Sequence, residues 1–218
     1  MQLFEFEGKE LFQNCGILVP KSQLLTTPAQ KVTIKPPLVL KAQVLSGKRA
    51  DSGGIIIINE IENLKLKIEN LLKEKINGER VDKILVEEKV DFTPPEYYLS
   101  FSYDTSTRGP VMTFGEGGTG VEAKKTKNYP VDILAMSHLQ GEEMRLHLGG
   151  GNLPDQLKDT AIKLWQVFTK YDCELAEINP LVIDNTGRVW ALDAKVILDD
   201  DADFRREIKF PERNLFGR

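Results

Sequence analysis

Apolar positions along this chain switch repeatedly between helical and strand spacing, in an order that predicts a mixed α/β protein. Within the first fifteen residues, Phe4, Leu11, Phe12 and Cys15 share one face of a short amphipathic helix, and Gly16 supplies its stop. Ile17-Leu-Val leading into Pro20 is extended, because the residue before a proline avoids the helical region. Residues 38–44 and 54–58 are predicted strands joined by a polar loop rich in Gly and Lys. Asn59 is expected to cap the next helix with Glu62 as capping-box partner, Ile61, Leu64, Ile68, Leu71 and Leu72 forming its apolar face and Asn77-Gly78 ending it. Residues 83–90 are a third strand, and the whole makes a small α/β unit of ordinary domain size.

Pro94-Pro95 marks a boundary, after which residues 96–104 are extended. A hairpin through residues 105–109 leads to Val111-Met-Thr-Phe114 and then to Gly115-Glu-Gly-Gly-Thr-Gly120. Residues 131–148 are predicted helical. Beyond Pro154, Leu157, Ala161, Leu164, Phe168 and Tyr171 recur at alternating steps of four and three, the stripe of a buried helix. A hairpin follows: residues 179–183, the turn Asp184-Asn-Thr-Gly187, and residues 188–193. The stretch from Asp199 onward is charged and irregular, and the chain shows neither an internal repeat nor a low-complexity segment.

Composition narrows the function classes. The 218 residues are 41% hydrophobic and 28% charged with a net charge of −4, the balance of an ordinary soluble protein and not the basic footprint of a nucleic-acid binder. The two cysteines, Cys15 and Cys173, stand far apart without a CxxC, so they are expected to be small buried hydrophobes in a reducing compartment. No apolar run reaches the roughly 18 residues of a membrane span, and a cytoplasmic protein is expected.

Candidate chemistry is concentrated in three places. Asn179 and Asp193 lie at the two ends of the late hairpin, where a pair of hard oxygens can share one Mg²⁺ that keeps further positions for phosphate; Asn-Pro and Asp-Asn-Thr-Gly are also ordinary turn chemistry. Gly47-Lys48 after a strand suggests a Walker A loop, but Ala42 replaces the required glycine, Arg49 replaces Ser or Thr, and a strand follows instead of a helix. What is left is a loop between antiparallel strands with Lys41 on the first strand and Lys48-Arg49 at the tip, able to lie over a triphosphate or to stand as a solvated basic turn. Glu87 and Glu96 flank the exit of the third strand, as ribose or adenine ligands or as solvated carboxylates. His138 and His147 lack a partner at catalytic spacing and are expected to be structural or at the surface.

In order along the chain, Leu3-x-Glu-x-x-x-Lys-x-Leu-Phe12 with Gly16 and Pro20, Val39-Leu-Lys-Ala-Gln-Val44, Ile84-Leu-Val-Glu87, Glu96-Tyr-Tyr-Leu99, Glu116-Gly-Gly118, Ala176-Glu-Ile-Asn-Pro-Leu-Val182, Leu192-Asp-Ala-Lys195 and Ala202-Asp-Phe-Arg205 resemble the ATP-grasp part of the succinyl-CoA synthetase β subunit and ATP-citrate lyase family, the nucleoside-diphosphate-forming acyl-CoA synthetases. The resemblance implies an α/β ATP-grasp fold of two subdomains with the nucleotide between them: 1–20 with 96–218 as the main unit and 21–95 as the smaller lid. It implies that Lys41, Lys48, Arg49 and Ala50 meet the nucleotide phosphates, that Glu87, Val90 and Glu96 line base and ribose, and that Asn179 and Asp193 hold Mg²⁺. Arg49 and Glu177 are the implied catalytic residues, Glu177 facing the site where the phosphoryl group is handed over.

The substrate implied is ATP, with GTP also admitted. The implied partners are an α subunit or α-like domain carrying the phosphohistidine and the CoA site, a CoA-ligase domain that in this family follows the ATP-grasp part, and a small carboxylic acid; neither nucleic acid nor membrane is implied. The sequence ends at Arg218, where that further domain is expected to begin, so the chain is expected to bind Mg-ATP and present the γ-phosphate as one half of an acid-CoA ligase. A mitochondrial matrix location is the counterpart in a eukaryote. The homologous part of ATP-citrate lyase or citryl-CoA synthetase is an alternative, as is a non-catalytic nucleotide-binding or assembly module. Two departures stand out: the loop tip Ser46-Gly-Lys-Arg-Ala50 is poorer in glycine than the family's, and the approach to Glu96 through Phe92-Thr-Pro-Pro95 is unusual.

Overall fold

A computed structural model describes residues 1–106, 108–120, 125–138, 143–144 and 153–211. The chain opens with helix α1 (Glu5–Asn14), then β1 (Ser22–Leu25), β2 (Leu38–Ala42), β3 (Ile55–Ile58) and helix α2 (Leu64–Leu71). The short strands β4 (Lys75–Ile76) and β5 (Glu79–Arg80) and then β6 (Ile84–Glu88) follow. The four longer strands make an antiparallel sheet in the order β1-β6-β2-β3. Alternation along the strands divides its faces. Leu38, Leu40, Ala42, Ile84 and Val86 point into an apolar core closed by Leu64, Ile68 and Leu71 of α2. Lys41 and Glu87 point to the opposite face, which meets α1.

A second antiparallel sheet is built from β7 (Tyr97–Asp104), β8 (Gly109–Glu116), β9 (Thr126–Pro130), β10 (Cys173–Ile183) and β11 (Val189–Ala191) in the order β11-β10-β7-β8-β9, with β12 (Lys195–Leu198) also on β10. Helix α3 (Ile133–His138) precedes the long α4 (Asp155–Lys170), and a 3₁₀ turn occupies Asp200–Arg205. The predicted stripe of α4 is the buried one: Leu157, Ala161, Leu164 and Phe168 face the sheet, where Phe101 stacks obliquely on Trp165 at 5.3 Å and on Phe168 at 6.1 Å. Helix α1 packs by Gly8, Leu11 and Phe12 against the same core; a Cβ at Gly8 would sit 3.2 Å from that of Ala194.

Several local expectations are corrected. The helix after β3 begins at Leu64, not at Asn59: its N-cap is Asn63, in the left-handed region (φ 64°) with no side-chain cap, and Ile61 is 65% exposed outside the helix. Asn77-Gly78 does not end that helix but turns the β4–β5 hairpin, both residues at positive φ as a type I′ turn requires. Strands β1 and β9 carry too little apolar alternation to be predicted; β1 gains its place by pairing with β6 and β9 by pairing with β8. The helix expected over 131–148 is present at Ile133–His138, and most of the remainder, His147 included, lies outside the described residues.

Phe101→Ala empties the joint between sheet and α4, where no backbone shift can refill an aromatic volume. It is expected to cost about 3–5 kcal/mol, read as a fall in the guanidinium unfolding midpoint.

Candidate functional site

The two sheets meet across a cleft of about 600 Å³. Glu5, Lys48, Arg49, Ala50, Glu96, Glu177, Asn179 and Asp193 all line it, drawn from helix, loop and strand ends spread over most of the chain. Backbone register explains two of these positions. The pairs Glu177↔Lys195 and Leu181↔Ala191 belong to one continuous register, which places Asn179 opposite Asp193. The partner of β10 changes there from β12 to β11: Leu192 N–H still donates to the Pro180 carbonyl at 3.0 Å, residues 193–194 belong to neither strand, and the side chains of Asn179 and Asp193 line the cleft. Asn179 and Asp193 therefore stand at a break in the middle of a sheet, not at the mouth of a simple hairpin.

The glycine-rich segment after β8 closes over Asn179. Gly118 N–H donates to Asn179 Oδ1 at 2.6 Å, and Gly117 N–H donates to the Glu96 carbonyl at 2.9 Å. Only glycine fits position 117, where a Cβ would lie 2.2 Å from the Tyr97 carbonyl oxygen, and Gly118 has φ +86°. Glu177 is oriented from β7: its register partner is Ser100, so Tyr98 is its diagonal neighbour on the same face and donates its hydroxyl to Glu177 Oε2 at 2.9 Å.

The loop from Leu45 to Gly54 forms the other wall. It is held from both sides: Gln2 Nε2 donates to the Leu45 carbonyl at 2.6 Å, Leu45 N–H to Glu79 Oε2 at 2.8 Å, and Asn77 Nδ2 to the Gly47 carbonyl at 2.6 Å. Lys48 is exposed at its tip with φ 59°. Arg49 turns inward, donating from Nη1 to the Ala42 carbonyl at 3.0 Å and from Nη2 to Asp193 Oδ1 at 2.9 Å and to Glu5 Oε2.

Beneath the cleft lies a closed ring of alternating charges. Lys9 Nζ is 2.8 Å from Glu5 Oε1 and 2.6 Å from Glu87 Oε1; Lys41 Nζ is 2.9 Å from Glu5 Oε1 and 2.7 Å from Glu87 Oε2. Both ammonium groups also donate to the Leu192 carbonyl, the residue before Asp193. Lys41 and Glu87 meet because Lys41 pairs in register with Leu85, two residues from Glu87 on the same face. Of the residues implied as nucleotide ligands, Lys41 and Glu87 thus lie buried beneath the cleft and outside its lining, Glu87 only 1% exposed, and Val90, half-buried past the end of β6, is outside the lining as well. Glu5 and Lys9 were part of the family motif in the sequence but carried no assigned role there. Their i,i+4 spacing was the available signal for a shared helical face.

Charge state follows from this geometry. Burial works to raise the Glu5 carboxyl, yet Arg49, Lys41 and Lys9 together overcome it and hold the group well below its ordinary value. Burial works to lower Lys41, and Glu5, Glu87 and Asp193 outweigh it, so the ammonium is held above its ordinary value. For Asp193 burial prevails and raises the carboxyl against the pull of Arg49. Asn179 and Asp193 offer one amide and one carboxylate oxygen at the break between β11 and β12, a hard-oxygen pair that fits Mg²⁺ sharing its remaining positions with phosphate. Among the described residues there is no cluster of three His, Cys, Asp or Glu that would complete a metal site from protein alone.

A carboxyl depressed in the fold adds stability above its unfolded value, and that stability is lost as pH falls through the folded value. The stability gap between wild type and Glu5→Gln is therefore expected to be widest near neutrality and to narrow as pH falls below about 4. Unfolding curves of both proteins across that range check it; a gap that widens on acidification contradicts the sign.

Residues 2–183 match the family model of the ATP-grasp domain. The β subunit of the ADP-forming succinate–CoA ligase of Methanocaldococcus jannaschii is 36% identical over 94% of this chain and 59% of its own length, and that of Bacillus licheniformis 34% identical over 99% and 61%. The chain thus spans about three fifths of the curated relatives it matches. Among solved structures, the dinucleotide-forming acetyl-coenzyme A synthetase 1 of Ca. Korarchaeum cryptofilum, in complex with coenzyme A, Ca-AMPCP and HgCl+, superimposes with TM-score 0.68 at 20% identity over 91% of this chain and 93% of that one. ATP citrate lyase from Methanothrix soehngenii, in complex with citrate and coenzyme A, gives TM-score 0.67 at 22% identity over 97% and 55%. With two antiparallel sheets closing on a glycine-walled cleft and a family match over most of its length, the chain belongs to the ATP-grasp family.

Proposed function

We propose that the chain is the ATP-grasp part of the β subunit of an ADP-forming succinate–CoA-ligase-like enzyme. It would bind Mg-ATP and pass the γ-phosphate toward a phosphohistidine on a partner α subunit. The observation that carries this is the convergence of Lys48, Arg49, Ala50, Glu96, Glu177, Asn179 and Asp193 on one cleft, from positions up to about 145 residues apart. The curated relatives, above 30% identical across nearly the whole chain, supply the reaction class. Residues 1–20 with 96–218 would serve as the main unit and 21–95 as the lid. The site would accept ATP, with GTP admitted, in the cytoplasm; the described residues contain no helix long and apolar enough to cross a membrane.

Phosphoryl transfer asks the protein mainly for position and charge. Lys48 and Arg49 would lie over the phosphates, Lys41 would raise the positive potential from below, and Glu96 would take the ribose side with Glu87 and Val90 behind it. Asn179 and Asp193 would hold Mg²⁺, which when bound neutralises phosphate charge. Glu177, fixed by Tyr98, would face the acceptor histidine as the phosphate is delivered. Thioester formation would need the α partner, with its CoA site, and a CoA-ligase domain. A second reading is the corresponding part of ATP-citrate lyase or citryl-CoA synthetase, whose fold, in ATP citrate lyase from Methanothrix soehngenii, is shared over 97% of this chain.

If Asp193 holds the metal, Asp193→Ala should abolish the gain in ATP affinity that Mg²⁺ confers while leaving the protein folded. Calorimetric titration of ATP with and without Mg²⁺ measures this, and an unchanged Mg²⁺ effect rules the assignment out. Reconstituted with an α-type subunit and a CoA-ligase domain, the chain should support ATP- and CoA-dependent thioester formation with succinate above citrate and other acids. Preference for citrate would transfer the chain to the second reading, and thioester synthesis by the chain alone would refute the division of labour.

A further inference from the structure

Glu5 is 4% exposed, and its single carboxylate meets three cations. Oε1 accepts from Lys41 Nζ at 2.9 Å and lies 2.8 Å from Lys9 Nζ; Oε2 accepts from Arg49 Nη2 and from Gln43 Nε2 at 3.3 Å. Lys9 belongs to its own helix, one turn on. Lys41, Gln43 and Arg49 belong to the other sheet and the loop that leaves it. Gln43 Oε1 in turn accepts from the Phe6 N–H at 3.1 Å, so the contact is gripped from both directions. Glu5 also occupies the first turn of α1, where the helix dipole favours a negative charge.

Resting on the ATP reading above, we propose that Glu5 is a positioning residue for phosphate binding: it holds Arg49 in the wall of the cleft and Lys41 beneath it before the nucleotide arrives. Long cationic side chains lose rotamer freedom when they engage a phosphate, and a site that has already ordered them binds more tightly. Glu5 supplies that order for both cations through one rigid helical turn. Glu87 and Asp193 each make a direct ion pair with one of the two, Lys41 and Arg49 respectively, so neither bridges both as Glu5 does. Lys9 balances the added carboxylate. With it, Glu5, Glu87 and Asp193 face Lys9, Lys41 and Arg49, three charges against three.

That balance gives a clean test. The double variant Glu5→Gln with Lys9→Met removes one charge of each sign, so the buried set stays neutral while the holder of Lys41 and Arg49 is lost. With the full chain in EDTA, so that no metal contributes, affinities for ATP and for adenosine are measured together with the melting temperature. Wild type should bind ATP more tightly than adenosine. The double variant should lose about tenfold in ATP affinity, the worth of one charge-assisted hydrogen bond, with adenosine affinity unchanged. Equal ATP affinity in variant and wild type overturns the proposal, and so does parallel loss of both ligands. Should the double variant not fold, Glu5→Asp keeps the charge and withdraws the carboxylate; selective loss of ATP affinity supports the positioning role, and wild-type affinity overturns it. Wild type that binds neither ligand instead overturns the ATP reading itself.

Discussion

The structure depends on six charged side chains that have been taken out of water together. Glu5, Lys9, Lys41, Glu87, Arg49 and Asp193 are joined by contacts of about 3 Å or less, and all but Asp193 are almost wholly buried. Such a set is poor evidence for stability, because desolvation consumes most of the Coulomb gain. Its value is orientational. An apolar contact between α1 and the β1-β6-β2-β3 sheet would tolerate sliding, whereas a closed ring of alternating charges has one low-energy register, and any slip leaves a buried charge unpaired. The cleft inherits that register, since the ring lies beneath it and reaches its lining through Glu5 and Arg49.

The two sheets contribute differently. The β11-β10-β7-β8-β9 sheet, backed by α4 and α1, is the rigid side, with a core of interlocked aromatics. It presents Glu177 and Asn179 from β10, and Asp193 from the short connection between β11 and β12 that the flanking strands hold on both sides. The β1-β6-β2-β3 sheet has a smaller core and presents its cations partly from the loop between β2 and β3. That loop is fastened by polar contacts to Gln2, Glu79 and Asn77 and not by apolar burial. Polar fastenings exchange readily with water and ligand, so the wall that must admit a phosphate is also the one held by replaceable bonds.

Leu192 joins the two halves of the site. Its carbonyl takes the ammonium groups of both Lys9 and Lys41, while the next residue, Asp193, takes Arg49. Leu192 N–H donates to the Pro180 carbonyl at 3.0 Å, but Pro180 has no N–H to return, so the Leu192 carbonyl is left for the two ammonium groups. The interruption between β11 and β12, opposite Pro180, is therefore as much a part of the site as the side chains are.

By itself the sequence determined what local rules govern. The period of α4, the positions of β2 and β3 to within two residues, the end of β10 at Ile183 (though not its start at Cys173, six residues before the expected one), the turn at Asp184–Gly187 and the candidate oxygens Asn179 and Asp193 follow from side-chain spacing and turn chemistry, and an ordered set of short motifs pointed to the family. Strands β1 and β9 were not legible, because a strand of weak alternation is defined by the neighbour it pairs with. The cap of α2 was misread because several polar residues compete at its start and packing chose Asn63 over Asn59. Only the tertiary structure decided that Lys41 and Glu87 would face each other beneath the cleft, and that Glu5 and Lys9, an unremarked i,i+4 pair, would complete the ring. Where a charge ends up depends on which opposite charges the fold brings within 3 Å, and residues 5, 41, 87 and 193 acquire that proximity only when the sheets close.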